Sequence, residues 1–313
     1  MLSINNLSVE LKTRENPFII LRDITFSLKK GEILGIAGES GSGKTILAKT
    51  ILNLIRKPVV KTAGTITLDG RELVTEKDFA SVRGNRISMI FQNPTGSLNP
   101  VFTIGQQITE AILAHNPEMS KAEAKQRAVE LLTEVEIPHP AERMNSYPHQ
   151  LSGGMNQRVM IAIALSCDPE VLIADEPTTA LDVTIQQQIL NLIKKLNREK
   201  NLSVIFITHD LGLLTRIADE SFIMYAGEIM ERLTGSDLQS GNIRHPYTKA
   251  LRECVPAIGE TREYLNTIKG TITFNSREFD SKCIFAERCG RRTDRCLTEK
   301  PLFENGFSCH NPY

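Results

Sequence analysis

Apolar and polar positions alternate in Ile4 to Leu11 and again in Ile24 to Leu28, the period of strands with one buried face. With Lys12 to Pro17 as a turn region between them, these segments predict paired strands. Glu32 to Ala37 is a short, mostly apolar run that leads through glycines into Ile46 to Ile55 at helical spacing, so a buried strand hands over to a helix. Thr65 to Leu68 followed by Asp69-Gly70 predicts a strand entering a turn, and Ile87 to Phe91 a strand ending at Gln92-Asn93-Pro94. From Thr103 to about Ile137 the period changes: Ala128, Leu131, Leu132 and Val135 recur at helical spacing, and Ser120 with Glu123 has the form of a capping box. Strand-like Val171 to Ala174, Val204 to Ile207 and Phe222 to Tyr225, with a helix from about Val183 to Glu199, then restore the earlier alternation. The pattern predicts a mostly parallel α/β sheet with helices on its faces, a half-buried sheet at the N-terminus and an interrupting helical block. After about Leu233 the chain turns into short, polar, proline-punctuated pieces, the texture of an appended module. No internal repeat or low-complexity tract is present.

Composition narrows the function classes. The 313 residues suffice for two unequal parts with a real core. Lys+Arg and Asp+Glu balance at 37 each, which argues against nucleic acid as a partner. The longest apolar stretches are of strand length, well short of the roughly 20 residues a spanning helix needs, so the chain is not expected to cross a membrane by itself. The N-terminus has neither a basic start nor an apolar h-region, and no signal peptide is expected. With the phosphate-binding loop described below, that leads to the expectation of a cytoplasmic protein, where six cysteines are thiols or metal ligands before they are disulfides.

The chemistry concentrates in three segments. Gly38-Glu39-Ser40-Gly41-Ser42-Gly43-Lys44-Thr45, between a predicted strand and a predicted helix, is a complete phosphate-binding loop. Its glycines let backbone N–H groups close around phosphate oxygens, Lys44 reaches the terminal phosphates, and the Thr45 hydroxyl ligates Mg²⁺. Asp175-Glu176 ends the buried strand Val171 to Ala174, where open α/β sheets hold ligands. There Asp175 would hold Mg²⁺ through water and Glu176 would polarise an attacking water; the plainer reading is an acidic strand end that caps the next helix. Leu151-Ser152-Gly153-Gly154-Met155 opens a helix with apolar Val159, Ile161, Ala162 and Leu165, and Ser-Gly-Gly at a helix start is a second anion site.

Taken in order, these segments resemble the ATP-binding cassette (ABC) ATPases. Gly38 to Thr45 matches the Walker A loop, Gln92 the Q-loop, Leu151 to Met155 the signature, Asp175-Glu176 Walker B, Ala180-Leu181-Asp182 the D-loop, and His209 in Ile207-Thr208-His209-Asp210 the switch. The resemblance implies a P-loop NTPase fold of the ABC type: a RecA-like core, an N-terminal antiparallel β-subdomain and an inserted α-helical subdomain at about 95–166, together forming residues 1–232. It further implies two cassettes paired head to tail, ATP on Lys44 and Thr45 of one being closed over by Ser152 and Gly154 of the other. His209 would contact the γ-phosphate, Gln92 would sense Mg²⁺ and link to a membrane partner, and Asp182 would couple the two sites. Phe18 is the nearest candidate for stacking on adenine, with a strand-core role as its alternative. Thr45 stands in place of a more frequent serine, and Asn156 where a basic residue is common.

Phe91 to Pro100, Tyr147 to Met155, Ala174 to Thr184 and His245 to Leu251 resemble the oligopeptide, dipeptide and nickel importer branch. That implies an ATPase energising a di- or oligopeptide importer at the cytoplasmic face of the membrane. Its partners would be a sister ATPase chain, two transmembrane permease subunits and an extracytoplasmic solute-binding protein. The alternatives are a nickel or metal-chelate importer and a soluble cassette acting on ribosomes or DNA. Residues 233–313 would form the branch's C-terminal extension. Cys283, Cys289, Cys296 and Cys309 fall in its last stretch, and four thiolates suit a zinc site or a cubane cluster. The absence of a C-x₂-C pair weakens the zinc-ribbon reading, and free thiols remain a third possibility; the branch resemblance implies a [4Fe–4S] cluster. Cys167, in a helical apolar pattern, and Cys254 are expected to be ordinary thiols.

Overall fold

The computed structural model describes residues 1–13, 18–92, 94–254, 266–272 and 280–313. Residues 14–17 of the expected first turn and Asn93 of the expected strand exit lie outside them. Along the chain run β1 (Leu2–Leu11), β2 (Phe18–Leu28), β3 (Ile33–Ala37), α1 (Lys44–Ile51), β4 (Val59–Leu68), β5 (Arg71–Glu72), α2 (Glu76–Val82) and β6 (Ile87–Ile90). The helical block comprises α3 (Pro94–Ser97), α4 (Ile104–His115), α5 (Lys121–Glu134), α6 (Pro140–Arg143) and α7 (Gly153–Ala164). Then follow β7 (Val171–Asp175), α8 (Val183–Lys200), β8 (Ser203–Thr208), α9 (Leu211–Ile217), β9 (Glu220–Tyr225) and β10 (Glu228–Thr234). Short helices α10 (Gly235–Ser240), α11 (Pro246–Glu253) and α12 (Arg295–Thr298) complete the described chain.

The chain divides into two compact units, residues 1–76 with 206–313, and residues 77–205. In the first, β1 pairs antiparallel with both β2 and β4, burying Leu2, Ile4, Leu7 and Val9 and exposing Asn5 and Asn6, the predicted half-buried sheet. The strand from Thr65 extends back to Val59 and turns at Asp69 and Gly70, whose φ values of 50° and 78° suit a tight hairpin into β5. β3 is buried at all five positions and lies parallel to β9, which pairs antiparallel with β10. Parallel strands covered on both faces read as continuous apolar runs, and β3 does.

In the second unit β6 and β7 are parallel, Ile87 opposite Val171 and Ile90 opposite Ala174. The Ser120–Glu123 capping box starts α5 as predicted: Ser120 Oγ accepts from the Glu123 N–H and Glu123 Oε2 from the Ser120 N–H. Thr103 and Gln106 make a second box at α4. Two expectations shift. The first helix runs over Lys44–Ile51, not Ile46 to Ile55, because the phosphate loop leads directly into its first turn. Cys167 lies on the turn after α7, which ends at Ala164, and not within a helix.

Candidate functional site

Gly38 to Thr45 joins β3 to α1, and its backbone requires glycine at specific points. A Cβ on Gly38 would lie 2.1 Å from the Met224 carbonyl oxygen, and one on Gly43, at φ 102°, 2.8 Å from Leu21 Cδ2. Gly43 caps α1 without a side chain, so the first N–H groups of the helix face the loop at the positive end of its dipole. Lys44 is buried, and its ammonium donates to the carbonyl oxygens of Gly38 at 2.8 Å and Glu39 at 2.9 Å. Those bonds hold a charged amine inside the loop. Ser42 is fully buried, Thr45 half-buried at the start of α1, and Ser40 and Gly41 exposed. His209 follows β8 and is exposed, one residue before Asp210, which caps α9 through the Gly212 N–H at 2.7 Å. Phe18 opens β2 with 43% exposure, so it is no core residue.

The second unit brings Gln92, Asp175 and Glu176 together. Asp175 is the last residue of β7 and buried, and Glu176 follows it with φ 48°. The Glu176 carboxylate accepts from Gln92 Nε2 at 3.1 Å and from Thr179 Oγ1 at 2.8 Å. Two donors therefore orient the proposed base. Thr179 was not singled out from sequence, although its place three residues after Glu176 is the available signal. Ser152 caps α7, accepting from the Met155 N–H at 3.3 Å, and both Ser152 and Gly153 are exposed while Leu151 and Met155 are half-buried. Gly154 is buried, and a Cβ there would meet Ile185 Cγ2 at 2.6 Å, so its small size lets α7 approach α8. Asp182 caps α8 through the Ile185 N–H at 2.9 Å, a structural task for a residue expected to couple paired sites. Asn156 is buried and donates to the Pro148 carbonyl at 3.0 Å, which accounts for an uncharged residue there.

Burial pushes the Cys283 thiol up to about 12, and burial also raises Cys289 and Cys309; the other tail sulfurs add to the shift of each. Backbone N–H groups of Arg291 and Asn311 donate to Cys289 Sγ and Cys309 Sγ, each at 3.4 Å. Among the described residues, however, no group of three or more His, Cys, Asp or Glu side chains is arranged to hold a metal ion. The expected four-cysteine cluster thus finds no metal-holding set among the described residues. Cys167 and Cys254 are half-buried thiols. Among the described residues no helix is long and apolar enough to span a membrane.

Residues 21–179 match the ABC transporter family, and residues 230–296 match the C-terminal region of oligopeptide/dipeptide transporters. The chain is 46% identical to the oligopeptide transport ATP-binding protein AppD of Bacillus subtilis over 96% of its length and 92% of that protein. It is 42% identical to the dipeptide transport ATP-binding protein DppD of Escherichia coli over 100% of its length and 97% of that protein. Among solved structures, the dimeric ATP-binding cassette MJ0796 in a post-hydrolysis state with ADP and Pi superposes with a TM-score of 0.67 at 29% identity, covering 75% of this chain and 99% of that one.

Proposed function

The chain belongs to the ABC transporter ATPases of the oligopeptide/dipeptide branch, and from that premise we propose that it hydrolyses ATP to drive a di- or oligopeptide importer. The observation that carries the reading is the Glu176 carboxylate, aimed by Gln92 and Thr179 at the end of β7, in a chain that also carries a complete phosphate loop. In this reading Gly38, Glu39, Ser40, Gly41, Ser42 and Gly43 wrap the phosphates, and Lys44 neutralises their terminal charge. Glu176 takes the proton of the attacking water, with His209 orienting that water and the γ-phosphate. Phe18, exposed at the start of β2, stacks on the adenine. The Thr45 hydroxyl, the Asp175 carboxylate and the Gln92 amide are hard oxygen donors of the kind Mg²⁺ selects. When bound, the ion supplies neutralisation of phosphate charge.

Leu151 to Met155 act in trans: Ser152 and Gly153 are exposed at the N-terminus of a twelve-residue helix, ready to meet the γ-phosphate held by a partner cassette. Asp182 couples the two sites through the start of α8. Residues 1–232 form the cassette and 233–313 the extension of this branch. The partners are a sister ATPase chain, two permease subunits and a solute-binding protein on the far side, with this chain peripheral on the cytoplasmic face. Purification of the tagged chain from native membranes should recover the sister chain and both permeases, with ATP hydrolysis stimulated by peptide-loaded binding protein. Recovery with ribosomes, or stimulation by nickel chelates and not by peptides, would replace the reading. A metallated tail rests on donor chemistry alone: four thiols within electrostatic reach, two already receiving N–H···S bonds. A cubane predicts about four irons per chain and brown colour, zinc one colourless ion, and neither metal would leave plain thiols.

A further inference from the structure

The phosphate loop contains a carboxylate. Glu39 directly follows Gly38, and an uncompensated negative charge there would oppose the binding of a polyphosphate. The C-terminal extension meets it. Arg288 donates from Nη1 to Glu39 Oε2 at 2.8 Å and from Nη2 to Oε1 at 3.0 Å, a two-pronged ion pair across 249 positions of sequence. The Arg288 side chain is only 6% exposed, against 26% for Glu39, so the pair is shielded from water on the arginine side. Arg288 is itself fixed from three directions. Its Nε donates to the Lys269 carbonyl at 2.8 Å, its Nη2 to the Ile268 carbonyl at 3.3 Å, and its Nη1 to the Tyr225 hydroxyl at 3.3 Å.

The backbone of Glu39 is engaged as well. Its N–H donates to the Tyr247 hydroxyl at 2.9 Å, and Tyr247 is fully buried among Tyr225 and Phe285, at centroid distances of 4.8 and 5.2 Å. Side chain and amide of one loop residue are thus both tied to the extension, while its carbonyl accepts from Lys44.

We propose that Arg288 and Tyr247 are positioning residues for nucleotide: Arg288 neutralises the carboxylate built into the phosphate loop, and together they hold that side chain clear of the phosphates the loop's backbone wraps. The C-terminal extension thereby sets the ATP affinity of the loop. This rests on the ATP-binding reading of Gly38 to Thr45, and it gives the extension a task at the nucleotide site that no motif of the cassette assigns.

Equilibrium titration of the full-length chain with Mg·ATP tests it. Arg288→Ala should weaken binding about tenfold, equivalent to ~1.4 kcal/mol, and the loss should shrink at high salt because it is a charge repulsion. Adding Glu39→Gln to Arg288→Ala should restore affinity to within about threefold of the parent, since the repelling charge is gone. A double variant as weak as Arg288→Ala alone, or a loss insensitive to salt, would reduce Arg288 to a packing role and overturn the proposal. Unchanged affinity in a folded Arg288→Ala chain would overturn it too. Should that variant melt below the assay temperature, Arg288→Gln with and without Glu39→Gln carries the same comparison. Failure of the unaltered chain to bind ATP would instead overturn the functional reading itself, so the two failures are distinguishable.

Discussion

The nucleotide motifs and the cysteine-bearing tail are both built from irregular backbone, yet they are held in opposite ways. Each motif sits at the end of a strand or the start of a helix: Gly38 to Thr45 between β3 and α1, Asp175-Glu176 at the end of β7, Asp182 and Ser152 as caps of α8 and α7. Its shape follows from neighbours in sequence. The tail from Asp280 to Tyr313 has little regular structure beyond α12 and a single turn at Ala286–Arg288. It is fastened by distant partners, the Ser308 N–H on the Met230 carbonyl at 2.9 Å and the Arg232 N–H on the Gly306 carbonyl at 2.7 Å. Arg291 donates to the carbonyls of Asn311 and Pro312, and its guanidinium lies 4.3 Å from the Tyr313 ring centroid. A segment too small for its own core must borrow order from elsewhere. The motifs are therefore set mainly by local chain geometry, whereas the tail carries anchors whose loss stays local except where they touch the loop, as Arg288 does at Glu39.

The widest expected gap between the two regions comes from Glu176→Gln. It removes the proposed base while keeping a side chain that can bond Gln92 and Thr179, and hydrolysis in the assembled complex should fall about 10²- to 10⁴-fold with ATP still bound. Unchanged turnover would take the chemistry away from the end of β7. Next in size is a pH effect at the base of the extension. His245 is buried, its Nδ1 accepts from the Tyr247 N–H, and burial pulls its pKa from 6.5 to about 4 although a hydrogen bond with the Ser308 backbone works the other way. The neutral ring is the folded form, so its stabilisation is complete above pH 6.5 and is lost as pH falls towards 4, on the order of 3 kcal/mol. Urea unfolding at the two ends of that window should show the slope in the parent and not in His245→Asn. That comparison isolates the imidazole from Glu231, whose carboxyl burial shifts upward.

Asp182→Ala and Ser152→Ala each remove a helix cap, about 1 kcal/mol, and should lower the melting temperature by about 2–4 °C apart from any effect on ATP turnover. A loss of activity without a change in melting would show that the cap is incidental to the role at the paired site. The smallest effect belongs to Arg291→Ala. It should loosen residues 309–313 by about 0.5–1 kcal/mol, read as faster amide exchange there, with global melting unchanged. A global loss of stability would mean that the tail is more than locally anchored.

Much of this molecule was legible in its residues because the relevant information is contiguous. The alternation in β1 and β2, the unbroken apolar run of β3 and the capping box at Ser120 each state their element within a few positions, and the structure departs from them mainly at element ends, where the phosphate loop feeds α1 two residues early. The motif residues were legible for the same reason, since glycines, lysine and hydroxyl must follow one another for a loop to wrap phosphate. Thr179 was missed because an oriented carboxylate needs only one nearby hydroxyl and many threonines follow strands. Arg288 and Tyr247 were missed because nothing near them in sequence mentions a nucleotide.

What the sequence by itself determined is therefore the order of most strands and helices and the motifs on which the proposed phosphate-handling residues rest, since both depend on local periodicity and on short runs of fixed spacing. Only the tertiary structure decided that Glu39 pairs with Arg288, that Asn156 and Asp182 serve backbone groups, and that Cys283 and Cys296 are buried while Cys289 and Cys309 are half-buried. Those are outcomes of burial and pairing between residues far apart in the chain, and desolvation acts on whatever the fold brings together, not on what stands adjacent in sequence.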